Sequence, residues 1–417
     1  MDIQDQLAEL KRRIARIDKK YAGLPKPPLP AAYVPKHPER YDMDHWMGGC
    51  EVETSAGKHF ETVRTWERHR RHGSIGIAEL AELPADLLAE ISDGCVPCAP
   101  PQKWCFLDTE TTGLAGGAGT YAFLVGVGSI TGDGFRLKQF FMRDYGEEPS
   151  LLAALAEHLQ QYDVLVTYNG KVYDQPLLET RYRMNRSRPP FSRLAHVDLL
   201  YSARRLWKLR FESCRLIELE NQILGVEREG DLPGEMIPMV YFEYLRTHQA
   251  FRLAPIFHHN AVDILTLACL TAIVPLAFRS PADAPLAHGA EMVGLGRWLR
   301  KAGRTEDALA LFRRAIGMRL KDDLLFRTLW DIAQMEKKLG RLDAAVAAYS
   351  DLAAEKNPYQ AAALEELAKH YEHKERNAAM ALEMTLAAQK LQDTDQLRRR
   401  RARLERRLAV PANRRLL

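Results

Sequence analysis

The sequence predicts an α/β domain, a mixed five-stranded sheet flanked by helices, followed by an all-α helical-repeat domain. Three features carry this. From residue 103, runs of β-formers at 103–109, 120–130 and 135–142 follow one another through short glycine-containing connections, the pattern of a three-stranded antiparallel meander. A helix over 150–161, a strand at 164–168, a helix over 175–184 and a strand at 196–199 then alternate, as strand–helix crossovers do. After about residue 285 the strands stop, and Gly303-Arg304-x-x-x-Ala308 returns 37 residues later as Gly340-Arg341-x-x-x-Ala345.

The elements divide the chain as follows. In 1–22, Ile3, Leu7, Leu10, Ile14 and Ile17 have the spacing of an amphipathic helix seam. Residues 23–42 form a proline-rich linker, with six prolines from Pro25 to Pro38. Residues 43–100 read as a small N-terminal extension, with a hairpin-like start at Glu51-Val52-Glu53 and a helix from Pro84 to Ile91. The α/β domain occupies 101–280. Over 286–395, small and aromatic residues recur at helical offsets, with a weaker third copy around Ala368, Tyr371 and Ala381. This resembles tetratricopeptide-type hairpins, although its period exceeds their usual ~34 residues, and it implies a protein partner. The tail, 396–417, is basic: nine arginines face one acid, Glu405.

Hydrophobic residues make up 46% of the 417-residue chain, enough for buried cores, which excludes a disordered protein. The net charge of +4 is small, so local patches matter more than the sum. The opening residues do not read as a signal peptide. The apolar stretch Ile264–Phe278 is short and holds Pro275, so it reads as a buried helix and no membrane partner is expected. Six cysteines fit reduced thiols in a cytoplasmic protein. Cys95-x-x-Cys98, with Cys50 and His45 or His59, lacks the second half of a zinc signature, so ordinary thiols are the preferred reading.

The chemistry centres on Trp104-Cys105-Phe106-Leu107-Asp108-Thr109-Glu110, followed by a glycine-rich turn with Gly113, Gly116, Gly117 and Gly119. Positions i and i+2 of a strand share a face, so Asp108 and Glu110 point the same way. Paired carboxylates repel, and hard oxygen donors suit Mg²⁺ or Mn²⁺. Taken alone, such a pair is more often two exposed acids at a strand end. Two further stretches lift it above that: Asn169-Gly170-x-x-Tyr173-Asp174, which opens a helix after a buried strand, and His258-His259-Asn260-Ala261-Val262-Asp263. If the second helix begins by residue 258, His259 and Asp263 are i and i+4 on one face. Phosphodiester hydrolysis with two divalent ions needs several converging carboxylates, and a nearby histidine suits proton transfer.

The order Asp-x-Glu, Asn-Gly-x-x-aromatic-Asp, His-x-x-x-Asp resembles the DEDD 3′–5′ exonucleases of the ribonuclease H-like superfamily. It is most similar to their bacterial YprB-like branch, through 107–114, 120–126, His196-Val197-Asp198-Leu199, Ala203-Arg204-Arg205-Leu206-Trp207 and Gly230-Asp231-Leu232-Pro233-Gly234. The resemblance covers about 103–280 and implies a ribonuclease H-like fold, two Mg²⁺ or Mn²⁺ ions held by Asp108, Glu110, Asp174 and Asp263, and release of 5′-mononucleotides. Tyr173 stands where the family more often has phenylalanine, read here as packing. Two histidines compete as general base. The histidine-type pattern, five residues before the last aspartate, matches His258, whereas the tyrosine-type spacing, four before it, matches His259. Helix geometry favours His259.

Between Arg181 and Arg210, eight arginines and one lysine face a single acid, Asp198, with aromatic residues interleaved, as suits phosphate contacts and base stacking. About half of those arginines are expected to be solvated or to lie over the core. Candidate nucleic-acid contacts are Thr111, Gly113, Leu114, Asn169, Arg204 and Arg205, with Asp198 as a helix cap or supporting residue. The expected activity is metal-dependent 3′–5′ exonucleolytic cleavage at single-stranded DNA or RNA ends. The rivals are a nucleic-acid-binding scaffold with an idle centre and a structure-specific endonuclease.

Overall fold

The computed structural model describes residues 38–92, 94–113, 119–228 and 230–409, so the helix expected in 1–22 and most of the linker lie outside the described residues. The sheet has seven strands: β1 (Gly49–Thr54), β2 (Gly57–Glu67), β3 (Trp104–Thr111), β4 (Ala122–Thr131), β5 (Gly134–Phe141), β6 (Val164–Thr167) and β7 (Ala195–Asp198). Their order is β1-β2-β5-β4-β3-β6-β7. The meander β3–β4–β5 is antiparallel, and β6 and β7 add parallel to β3.

The five expected strands are present, and the correction is the count. The hairpin β1–β2 joins the edge of β5 in register from Phe60↔Phe141 to Glu67↔Gly134, so the N-terminal extension widens the sheet. Apolar periodicity does not announce β2, because His59, Glu61 and Thr62 are buried polar residues paired inside the fold. His59 bonds Ser150 Oγ (2.9 Å) and Glu61 (3.0 Å), and Thr62 donates to Gln139 (3.0 Å).

β3 is central and covered on both faces. Trp104 and Phe106 enter the core built around the long helix Ala254–Arg279, while Cys105 and Leu107 enter the opposite core with the helices Glu148–Leu159 and Asp174–Met184. The helices are α1 (Glu148–Leu159), α2 (Asp174–Met184), α3 (Leu199–Trp207), α4 (Ile237–Thr247) and α5 (Ala254–Arg279). α5 starts ten residues before the apolar run, with Pro255 in its first turn where a missing N–H leaves nothing unsatisfied. It is long and apolar enough to cross a membrane by composition, but it lies mostly buried between sheet and helices.

Gly126 on β4 sets how closely α5 approaches. A Cβ there would lie 2.3 Å from both Asn260 Oδ1 and Ile264 Cδ1. The bare backbone therefore lets α5 lie directly on the sheet beside Asp108, which pairs with Gly126 across the ladder.

Seven helices follow: α6 (Gly289–Lys301), α7 (Thr305–Ile316), α8 (Asp322–Lys338), α9 (Leu342–Ala354), α10 (Gln360–His373), α11 (Ala378–Leu391) and α12 (Asp395–Ala409). Gly303, Gly340 and Arg376 each adopt a left-handed backbone, with φ of 83°, 77° and 56°. Five residues after each lies a buried alanine, Ala308, Ala345 and Ala381. The third copy thus keeps the turn and loses the glycine, which is why its sequence signal is weak. The region is joined firmly to the sheet domain. One core runs from Trp104 through Ile264 to Phe312 and Tyr349, and Arg304 donates to the α5 carbonyls of Phe278 (2.5 Å) and Arg279 (3.1 Å). The basic tail is not a free arm through Ala409. Leu397 and Leu404 of α12 are buried, and Arg403 grips Glu372 at 2.8 Å, so α12 covers the last hairpin.

Replacing Gly126 by Ala should lower unfolding stability by about 1–3 kcal/mol, the usual cost of overpacking a filled core. Urea unfolding measures it; an unchanged midpoint would mean that α5 does not depend on this close approach.

Candidate active site

Asp108 and Glu110 leave β3 on the face covered by α5, next to an irregularity in the β3–β4 register at Glu110/Thr111. Such bulges re-aim side chains where pairing ends. Asn260, fully buried on α5, donates to Asp108 Oδ2 (2.9 Å) and to its carbonyl (3.3 Å). Gln139 of β5 donates to Asn260 Oδ1 at 2.9 Å, which fixes the amide with its NH₂ toward Asp108. No hydrogen bond holds the Glu110 carboxylate among the described residues.

Asp174 begins α2 after the turn that follows β6. Thr109 Oγ1 donates to Asp174 Oδ1 at 2.5 Å, tying the helix start to β3. The turn is fixed by Asp198, which accepts from the backbone N–H groups of Asn169 (2.8 Å) and Lys171 (3.1 Å) and caps α3 through Leu200 N–H (3.2 Å). Asn169 itself sits at φ 68°. On the other side of the strand end, the Thr111 and Tyr173 hydroxyls both donate to the Gly113 carbonyl, at 2.9 and 2.6 Å. The tyrosine thus does more than pack: its hydroxyl, which phenylalanine lacks, pins the entrance of the glycine-rich turn. Leu114 lies outside the described residues.

The start of α5 separates the two histidines. His259 and Asp263 share the face toward the acids, with His259 Nε2 3.6 Å from Asp263 Oδ2. His259 Nδ1 lies 2.9 Å from Asp231 Oδ2. A carboxylate only accepts, so Nδ1 carries a proton toward Asp231, and Nε2 faces Asp263. His258 is exposed on another face, in a hollow with Trp46, Arg64 and Gln139, and does not join the cluster.

Sequence reasoning missed Arg228 as a site residue. Its guanidinium is almost fully buried and contacts Asp263 Oδ1 (2.5 Å), Asp231 (3.1 Å) and Glu220 (2.9 Å). It thereby orients both the last aspartate and the carboxylate behind His259. Asp231 lies within the Gly230–Gly234 stretch noted above but was not singled out. Asn260 carried a readable sign, since a polar residue four positions from both Ile256 and Ile264 falls on a buried stripe.

The electrostatics draw the four acids together. Burial pushes the Asp108 carboxyl well above its ordinary range, and Asp263, Glu110 and Asp174 push it further, against the Asn260 hydrogen bond. Burial likewise raises Glu110, reinforced by Asp263, Asp174 and Asp231 and opposed by Arg228. Asp174 is raised to about 6 by burial, despite the hydrogen bond from Thr109. Burial also opposes the charge on Asp231, but His259 and Arg228 outweigh it and hold that carboxyl below its usual range.

Among the described residues, no three His, Cys, Asp or Glu side chains are gathered closely enough to form a closed metal site. The donor chemistry nevertheless fits a divalent cation. Asp108, Glu110 and Asp174 are hard oxygen donors whose mutual repulsion the protein's own cations leave unbalanced, and Arg228 takes only Oδ1 of Asp263.

A mixed sheet with acids converging at this edge is a candidate catalytic centre. Residues 105–274 match the RNase_H superfamily, which implies nuclease chemistry on nucleic acid and whose nucleases generally use divalent metals. The chain is also 35% identical to the uncharacterized protein YprB of Bacillus subtilis (strain 168) over 313 residues, 72% of this chain and 74% of that one. It belongs to the family of that protein, and residues 105–274 are the part that matches the RNase_H superfamily.

Between its ordinary value and about 6, Asp174 holds its proton in the folded state and has lost it in the unfolded chain. Folding stability from this group is therefore present at low pH and lost as pH rises through that window. In EDTA, Asp174→Asn should flatten the fall in urea midpoint from about pH 4 to about pH 6.5, the window set by the raised value, and equal slopes for variant and wild type would contradict the shift. At pH 7.5, Mn²⁺ should raise the wild-type midpoint more than that of the variant.

Proposed function

We propose that the protein is a metal-dependent 3′–5′ exonuclease that shortens single-stranded nucleic-acid ends and releases 5′-mononucleotides. The observation that carries this reading is the buried, mutually repelling set Asp108, Glu110 and Asp174 beside the His259–Asp263 turn of α5. Asp108, Glu110, Asp174 and Asp263 would hold two Mg²⁺ or Mn²⁺ ions. When bound, these supply charge neutralisation at the phosphorus and a more acidic attacking water. His259 Nε2 takes the proton of that water, and Asp231 keeps the imidazole in the required tautomer and stabilises its charged form. Asn260 holds the Asp108 carboxylate in place. Arg228 fixes Asp263 through one oxygen and leaves the other for a cation. The pinned Gly113 turn and exposed Asn169 border the cluster and suit contacts to the terminal nucleotide. The hairpins of α6–α11, resembling tetratricopeptide repeats, suit a protein partner, and the protein is proposed to act in the cytoplasm.

The test uses 5′-labelled single-stranded DNA and RNA of one sequence with Mg²⁺, Mn²⁺ or EDTA. A metal-dependent ladder shortening from the 3′ end is expected. Asp108→Asn should abolish it, whereas internal cuts in a circular strand would point to endonucleolytic cleavage. His259→Ala should slow the reaction ~10²–10⁴-fold, the usual contribution of a positioned base. Asp231→Asn should cost roughly 10–100-fold, as losing the carboxylate behind a histidine does. His258→Ala should stay near wild type; a large loss there would reverse the assignment.

A further inference from the structure

The arginine-rich stretch is divided by the fold. Arg181 is buried against Glu148, Arg183 pairs with Glu179, and Arg193 donates to the Leu159 carbonyl. Arg210 pairs with Glu291 of α6, and Arg205, expected to touch nucleic acid, instead lies 5.2 Å over the Trp298 ring. Four of these side chains tie parts of the fold together, while Arg183 makes an exposed pair within α2. Arg186 and Arg188 are exposed in the loop after α2, and Arg204 and Lys208 are exposed one turn apart at the end of α3, with no ion pair among the described residues.

Arg204 and Lys208 line a groove of about 630 Å³ with Arg215, Tyr168, Asn169 and one acid, Glu212. Arg215 has only an exposed Glu218 at 3.5 Å, a weak pair in water. The walls are fixed: the Tyr168 hydroxyl donates to the Cys214 carbonyl, and Asp198 holds the Asn169 backbone. One end of the groove is Asn169, whose carbonyl accepts from the N–H of Tyr173 (3.2 Å), the residue before Asp174. The groove therefore leaves the acid cluster by a single turn of chain. Arg204, Lys208 and Arg215 outnumber the groove's acid, Glu212, and the exposed Glu218 beside Arg215, so the groove suits a polyanion, and the Tyr168 ring adds an apolar wall.

We propose that this groove holds internal phosphates of the substrate strand, 5′ to the nucleotide being removed. The proposal rests on the nuclease reading for that direction, and its test separates the two. Binding of fluorescein-labelled oligonucleotides of 3 and 12 nucleotides is followed by anisotropy in EDTA over a series of salt concentrations. The full-length Asp108→Asn protein is compared with the same protein also carrying Arg204→Gln, Lys208→Gln and Arg215→Gln. The 12-mer should bind tenfold or more weakly to the groove variant, with the loss growing with length. The slope of log affinity against log salt should shrink by about 2, since each single-strand phosphate contact contributes ~0.7. Arg204→Lys and Arg215→Lys, with Lys208 kept, should retain most of the slope.

Equal affinities, or weaker binding with an unchanged slope, would overturn the proposal. So would displacement of the 12-mer by poly-glutamate as effectively as by an unlabelled strand of equal charge, which would make the groove an acidic-peptide site. Failure of the wild type to cut any strand would count against the nuclease reading alone, because the binding comparison does not depend on cleavage.

Discussion

Repulsion among buried carboxylates is the constraint around which the site is built. Burial and mutual proximity raise Asp108, Glu110 and Asp174 together, so the fold resists ionising all of them without a counter-charge. Isolated buried charges of one sign are costly and persist where something else holds them in place. Here the strand backbone fixes Asp108 and Glu110, Thr109 fixes Asp174, and Arg228 fixes Asp263. Arg228 sits behind the cluster, against Glu220 and Asp231, and reaches Asp263 from there.

The rest of the architecture supplies rigidity to that arrangement. A chain of hydrogen bonds runs from Thr62 on β2 through Gln139 on β5 and Asn260 on α5 to Asp108 on β3. It links the strand added by the N-terminal extension to the central carboxylate. Gly126 makes the last step possible by letting α5 lie against the sheet. At the far end of α5, Arg304 caps the helix and the shared core continues into the helical region. The helix that bears His259 and Asp263 is thus clamped at both ends.

Much of this was legible in the sequence, for identifiable reasons. The meander and the crossovers follow apolar runs whose lengths and turns are local properties. The four acids and His259 stand at spacings that strand and helix geometry convert into shared faces. The β1–β2 hairpin was only partly legible, because its buried residues are polar and are satisfied by Ser150 and Gln139, about 80–90 residues away in the chain. Arg228 and Asp231 were hidden for a similar reason: they lie in a loop without periodicity, and only the tertiary fold brings them to Asp263 and His259. In the arginine-rich stretch, composition could not say that Arg205 serves the domain interface while Arg204 faces the groove.

The central claim is that these four acids together hold divalent cations for hydrolysis. Anomalous diffraction from crystals soaked in Mn²⁺ and a nucleoside 5′-monophosphate tests it most directly. Two manganese peaks bounded by Asp108, Glu110, Asp174 and Asp263, with the phosphate between them and His259, are the predicted result. Manganese absent from this cluster, with Arg228 still gripping Asp263 and the nucleotide bound elsewhere, would contradict the account.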